Sequence, residues 1–127
     1  MKKSDYTFEE VTQMLVQHLA ERHWSDLPSR GLAISIALEA NELLEHYQWQ
    51  DEPVGGVDEV ADELADVMIY AMQLARVNNI DIPKAIAAKL AKSAQKYPAE
   101  KFQTTDPAKR RAAWLDAKKN HQKDTIL

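Results

Sequence analysis

An all-α fold is predicted for this chain by three observations. Only three glycines and five prolines interrupt its 127 residues. The segments between them repeat their apolar residues at helical rather than alternating spacing. A content of 45% hydrophobic and 28% charged residues fits one compact domain. A chain of this size buries roughly two thirds of the surface it exposes when unfolded, so it gains from self-association. The expected architecture is a four-helix bundle over residues 1–100, with an additional C-terminal helix or tail over 101–127, assembled as a homo-oligomer.

Thr7 to Glu10 reads T-x-x-E, a capping box, with Tyr6 and Val11 placed as its hydrophobic staple. Helix one is therefore predicted from Thr7 to Glu21, with Val11, Met14, Leu15 and Leu19 as its buried stripe. After Leu27-Pro28, Ser29 can cap a second helix that runs to Tyr47. Leu32, Ile36, Leu43 and Leu44 make this helix the most apolar, which places it mid-bundle. Pro53 and Gly55-Gly56 form the strongest breaker, after which Asp58 can cap a third helix. That helix ends at Asn78-Asn79, because asparagine tolerates positive φ. Pro83 suits the first turn of a fourth helix, ending before Tyr97-Pro98 with Ile86 and Leu90 buried. Helices two, three and four are expected to form the core unit. A fifth helix can start at Asp106-Pro107, but AKRRAAWLDAKKNHQK is basic and offers few apolar positions besides Trp114 and Leu115. It is expected at an edge or as a solvated tail.

Sixteen Lys and Arg stand against twenty Asp and Glu, giving a net charge of −4 and a pI near 5.5. That balance argues against a nucleic-acid polymer or an anionic membrane as partner. The first ten residues lack the apolar core of a signal peptide, and no run of about eighteen apolar residues occurs. A cytoplasmic location is expected. With no cysteine, disulfides, thiolate zinc sites and cysteine nucleophiles are excluded, so any metal must be held by oxygen or histidine. No Walker loop, Gly-x-Gly-x-x-Gly or Gly-x-Ser-x-Gly motif occurs.

The acids carry the chemistry. Helix two contains Glu39-Ala40-Asn41-Glu42 and helix three contains Glu63-Leu64-Ala65-Asp66. Each pair is spaced i, i+3, which puts its Cβ atoms about 5 to 6 Å apart on one face. If the helices pack antiparallel, the pairs face each other and four carboxylates share one site. Repulsion and partial burial make that arrangement unfavourable unless a cation resolves it. Mg²⁺ takes oxygen ligands and keeps positions for water or phosphate, so a phosphate-chemistry site is expected. The competing explanation is a solvated acidic face, which suits most single pairs. It is weaker for Glu39 and Glu42, set among Leu38, Leu43 and Leu44. Glu45 extends the cluster as an additional or supporting residue, whereas Glu59 and Asp62 complement the N-terminus of helix three. None of His18, His23, His46 or His121 follows a glutamate by three positions, which disfavours a di-iron bundle.

At this point the chain resembles the MazG-like all-α nucleoside triphosphate pyrophosphohydrolases, especially the small dCTP pyrophosphatase group. The resemblance runs from Ala20 to Pro98 through ERHW, ALEANELLEHYQW, DELADVMIYAMQLA and KLAKSAQKYP. It implies Mg²⁺-dependent cleavage of a nucleoside triphosphate between the α and β phosphates, with Mn²⁺ as a substitute ion. It further implies that Glu39, Glu42, Glu63 and Asp66 hold the metal and do the catalytic work. Trp24, Trp49 and Tyr70 match aromatic positions near the base and sugar, although core packing is the commoner role of a tryptophan. Lys89, Lys96 and Tyr97 match the family's K-x-x-x-N-x-x-[KR]-Y-P segment, with Ser93 in place of the asparagine, a departure that bears on substrate preference. Lys92 and Arg30 are weaker phosphate candidates, equally explained as solvated or ion-paired surface residues. His18 and His46 receive no role. The resemblance implies a dimer or tetramer and a use in clearing surplus or non-canonical nucleotides. Two alternatives stand beside it: a non-catalytic helical module that binds a cation or a basic partner, and a dUTP or dUDP hydrolase of the same superfamily.

Overall fold

The computed structural model describes residues 2–126, with side chains described over 2–120. All regular structure among them is helical: α1 Phe8–Glu21, α2 Ser29–Glu45, α3 Gly56–Val77, α4 Ile82–Lys96 and α5 Pro107–Ile126, with a 3₁₀ turn at Ala99–Phe102. The chain divides into two compact units, Met1–Asp81 and Ile82–Leu127. Helix α4 falls in the second unit, together with α5. None of the described helices is long and apolar enough to cross a membrane.

The first unit is built on the pairing of α2 with α3. Near one end, the Asn78 side chain donates to Ser29 Oγ at 3.1 Å and Arg76 donates to the Ser25 carbonyl at 3.1 Å. At the other end the chain turns between His46 and Gly55, where Val54 N–H donates to the His46 carbonyl at 3.1 Å. The two helices therefore run antiparallel, joined by the short breaker-rich loop. Leu19, Leu32, Met72 and Ala75 are the buried apolar residues among those described.

Several local expectations change. Thr7 caps α1 by accepting from Glu10 N–H at 3.1 Å, and the Glu10 carboxylate returns to the Thr7 hydroxyl at 3.0 Å. Tyr6, Val11 and Met14 stay largely exposed, so the staple and stripe reduce to Leu19 with a half-buried Leu15. Pro28 occupies the cap of α2, and Ser29 accepts from Asn78 instead. Leu44 is exposed on α2, while Leu32 is buried. Helix α3 starts at Gly56, two residues before Asp58, which becomes a first-turn acid. Its end is as expected, with Asn79 at φ 55°.

In the second unit, Asp106 opens α5 by accepting from Ala108 N–H at 3.0 Å. Tyr97 meets Phe102 edge to face at 5.9 Å. Ile86 and Leu90 are exposed, which corrects their placement as a buried face. Trp114 and Leu115 are also exposed. Helix α5 is an extended helix, continuous through the stretch left open as a tail.

Candidate metal centre and adjoining groove

The antiparallel pairing turns the faces bearing Glu39 and Glu63 toward each other. Glu39, Glu63 and Asp66 each offer a carboxylate oxygen within 4.8 Å of the others. Glu42, one turn after Glu39, is exposed and is close enough to act on both Glu39 and Glu63. The pKa of Glu39 is raised, first by desolvation and then by the neighbouring carboxylates, with Glu42 foremost. Glu63 is raised for the same first reason and then by Glu42 and Asp66, with His46 pulling the other way.

Glu39 Oε2 and Glu63 Oε2 are buried without a hydrogen-bond partner. A buried carboxylate oxygen costs free energy unless something compensates it, so two in one cluster require an explanation. An all-oxygen donor set at this spacing suits a hard divalent cation such as Mg²⁺. The residues present therefore fit a metal of that class.

Asp66 also lines a groove between α1 and α3, a space of about 490 Å³ bounded by Leu15, His18, Leu19, Trp24, Leu27, Ile69, Tyr70 and Gln73 among others. Asp66, Tyr70 and Gln73 follow one another at helical spacing along α3. The acidic cluster and the aromatic groove thus share a wall. Trp24 is 51% exposed and meets His18 edge to face at 6.3 Å. Gln73 is buried, a polar residue that periodicity alone reads as part of an apolar face.

Other candidates fall elsewhere. Trp49 is 86% exposed, lies beyond the end of α2 at Glu45 and is not among the residues that line the groove. Arg30 is exposed at the start of α2. Lys89, Ser93, Lys96 and Tyr97 belong to the second unit. There Lys89, Lys92 and Ser93 are exposed, Lys96 and Tyr97 are half-buried, and Lys96 Nζ lies 5.3 Å from the Tyr97 ring centre. Glu45 lines a polar hollow of about 380 Å³ with Glu42, His46, Val54, Gly55, Glu59 and Glu63.

His46 is the residue that sequence reasoning passed over. It is 9% exposed, its Nδ1 accepts from Gly55 N–H at 3.2 Å, and its Nε2 lies 3.9 Å from Glu63 Oε1. A histidine carries no spacing signature of such a role. The signal available was its position, at the end of the acidic helix and ahead of the loop that carries Pro53 and Gly55-Gly56.

Comparison with known proteins adds a consistent picture. Residues 34–108 match the MazG-like family. The dCTP pyrophosphatase 1 of Rattus norvegicus is 30% identical over 101 residues, covering 72% of this chain and 59% of the relative. That of Homo sapiens is 29% identical over 102 residues, covering 73% and 60%. The chain thus spans about three fifths of the length of these curated relatives. A solved pyrophosphatase from Archaeoglobus fulgidus DSM 4304 superposes with a TM-score of 0.62 at 30% identity, covering 77% of this chain and 98% of that one.

Proposed function

We propose that this chain, which belongs to the MazG-like family, is a nucleoside triphosphate pyrophosphohydrolase that releases pyrophosphate from a deoxynucleoside triphosphate, with dCTP-like substrates the first choice. The observation that carries this reading is the shared wall: Asp66 belongs both to the carboxylate cluster and to the aromatic groove. A ligand with a polyanionic end and a flat aromatic end matches that pairing. Relatives named dCTP pyrophosphatase 1 support the same class.

Glu39, Glu42, Glu63 and Asp66 would hold Mg²⁺, or Mn²⁺ in its place. When bound, the ion supplies neutralisation of phosphate charge and a Lewis-acid site for water. The chain's own residues do the rest. Water adds across the α–β phosphoanhydride, its proton passing to a carboxylate of the cluster, and the nucleoside monophosphate and pyrophosphate separate. Trp24 and Tyr70 give the base an aromatic surface, and a stacked base contributes about 1 to 3 kcal/mol in single-strand binding sites. Lys89, Lys96 and Tyr97, with Ser93 between them, are assigned to the phosphates or sugar, and Glu45 and Arg30 to support. Such an activity clears surplus or non-canonical nucleotides from the pool, and we place it in the cytoplasm.

We assign the activity to residues 1–100 and a supporting role to the basic segment 101–127. We also assign the protein to a homodimer or homotetramer. Four buried apolar residues are a small core among the described residues, while Leu38, Leu44, Val57 and Leu64 are exposed on α2 and α3. An apolar groove lined by Ala40, Leu43, Leu44, Tyr47, Val60 and Leu64 lies on the same helix pair. Association of copies would bury such a surface. It would also provide a place for Trp49 at a neighbour's pocket.

The test is pyrophosphate release from a panel of deoxy- and ribonucleoside triphosphates with Mg²⁺, using EDTA and Glu63→Gln as controls. Selective, metal-dependent release supports the reading, and strong preference for dUTP moves the substrate assignment within the superfamily. Absence of turnover by folded protein favours a cation-binding helical module.

A further inference from the structure

We propose that His46 is a positioning residue that sorts the two oxygens of Glu63, engaging Oε1 and leaving Oε2 to a divalent cation. This rests on the reading of the carboxylate cluster given above. It assigns a role to His46, a buried ionisable side chain beside the cluster that is not itself a carboxylate.

The argument starts at the ring. His46 follows α2 as its C-terminal cap and is 9% exposed. A neutral imidazole has one N–H and one acceptor nitrogen. Nδ1 accepts from Gly55 N–H at 3.2 Å, so the proton of the neutral ring is on Nε2. That nitrogen lies 3.9 Å from Glu63 Oε1, too long for a direct hydrogen bond but close enough for the N–H dipole to attract one oxygen of the carboxylate. Glu63 Oε2 is the oxygen that is buried and unpartnered. The two oxygens of one carboxylate are therefore in different situations: Oε1 is the one near the His46 ring, and Oε2 is buried without a partner.

The ring is fixed from two sides. Its backbone carbonyl accepts from Val54 N–H at 3.1 Å while Nδ1 holds Gly55, so the loop grips the histidine at consecutive residues. Gly55 is needed for this approach, because a Cβ there would lie 2.7 Å from the ring's Cε1 and also overlap the Glu59 carboxylate. Outer partners of this kind orient metal ligands, and losing one typically costs 10- to 100-fold in metal affinity.

A residue that only staples the loop would use Nδ1 and not Nε2, and two substitutions separate the roles. In His46→Asn the side-chain oxygen takes the place of Nδ1 and keeps the Gly55 bond, but nothing reaches Glu63. In His46→Gln the amide nitrogen extends toward the place of Nε2, and the acceptor for Gly55 is lost. The experiment is calorimetric titration of Mg²⁺ into the full chain, wild type and both variants, with metal-free thermal melting alongside. We expect His46→Asn to melt near the wild type and bind Mg²⁺ at least about tenfold more weakly, and His46→Gln to bind more tightly than His46→Asn. Wild-type affinity in folded His46→Asn overturns the proposal, as does a weakening in both variants that follows their loss of melting temperature. Should His46→Asn not fold, His46→Gln decides, with near-wild-type affinity in support and a tenfold loss against. Wild-type protein that binds no Mg²⁺ overturns the cluster reading itself, an outcome distinct from the others.

Discussion

Glu39 on α2 and Glu63 on α3 each bury one carboxylate oxygen without a hydrogen-bond partner, in a cluster where Asp66 also lies within 4.8 Å. The fold thus brings like charges together and leaves their best acceptor positions unused. Such an arrangement is costly in the empty chain and favourable once a cation is held.

Removing one of these charges should separate stability from activity. Glu39→Gln or Glu63→Gln relieves repulsion without changing size, so the metal-free protein should melt no lower than the wild type near neutral pH. Mg²⁺ should then raise its melting temperature less than it raises that of the wild type. Pyrophosphate release should fall by about 10² or more, the scale of losing a catalytic acid or base. Thermal melting with and without Mg²⁺, paired with the activity assay, checks both halves. A variant that keeps full turnover would remove Glu39 or Glu63 from the site.

The pH dependence has a definite sign. Glu39 and Glu63 titrate above the ordinary value of 4.5 in the fold, chiefly because burial penalises their charged forms. Between 4.5 and the raised values, the folded chain holds more protons than the unfolded chain. Their contribution is fully present below 4.5 and is lost as pH rises through the raised values. In EDTA, the melting temperature of Glu63→Gln relative to wild type should therefore rise with pH across that window. A difference independent of pH would contradict the burial of these carboxylates.

Much of this was legible in the sequence, and the failures have physical causes. The helices and the two acidic pairs follow from spacing, since i, i+3 placement is a local property of a helix. Ser29 was misread because a capping residue and a tertiary acceptor look the same in sequence, and Asn78 reaches its hydroxyl from 49 positions away. Helix α2 ends at Glu45, two residues short of the predicted Tyr47, because a helix end is set by the turn that follows it. His46 stayed hidden because its partner, Gly55 N–H, is a backbone group brought close only by the loop.

The loop makes its own prediction. Gly55→Ala adds one methyl against the His46 ring and the Glu59 carboxylate. The Glu59 side chain is flexible and can move, whereas the ring is buried and held by the Gly55 N–H at Nδ1. The substitution should therefore weaken Mg²⁺ binding in the same direction as His46→Asn, and it should also lower the metal-free melting temperature. Affinity equal to wild type would mean that the loop accommodates the methyl without moving the ring.

The groove separates base binding from phosphate chemistry. Trp24 and Tyr70 line it beside Asp66, and Gln73 lines it as a buried amide. Trp24→Ala removes an aromatic face whose loss costs about 1 to 3 kcal/mol where a base stacks, roughly 5- to 150-fold in affinity. It should raise KM while Mg²⁺ affinity stays at the wild-type value, because no atom of Trp24 belongs to the carboxylate cluster. Gln73 can both donate and accept, so it is suited to a polar base edge rather than to aromatic stacking. Gln73→Leu should therefore narrow the spread of kcat/KM across the four bases, whereas Trp24→Ala should depress all of them together. Equal losses across bases in Gln73→Leu would reduce the amide to packing, and an unchanged KM in Trp24→Ala would move the base out of this groove.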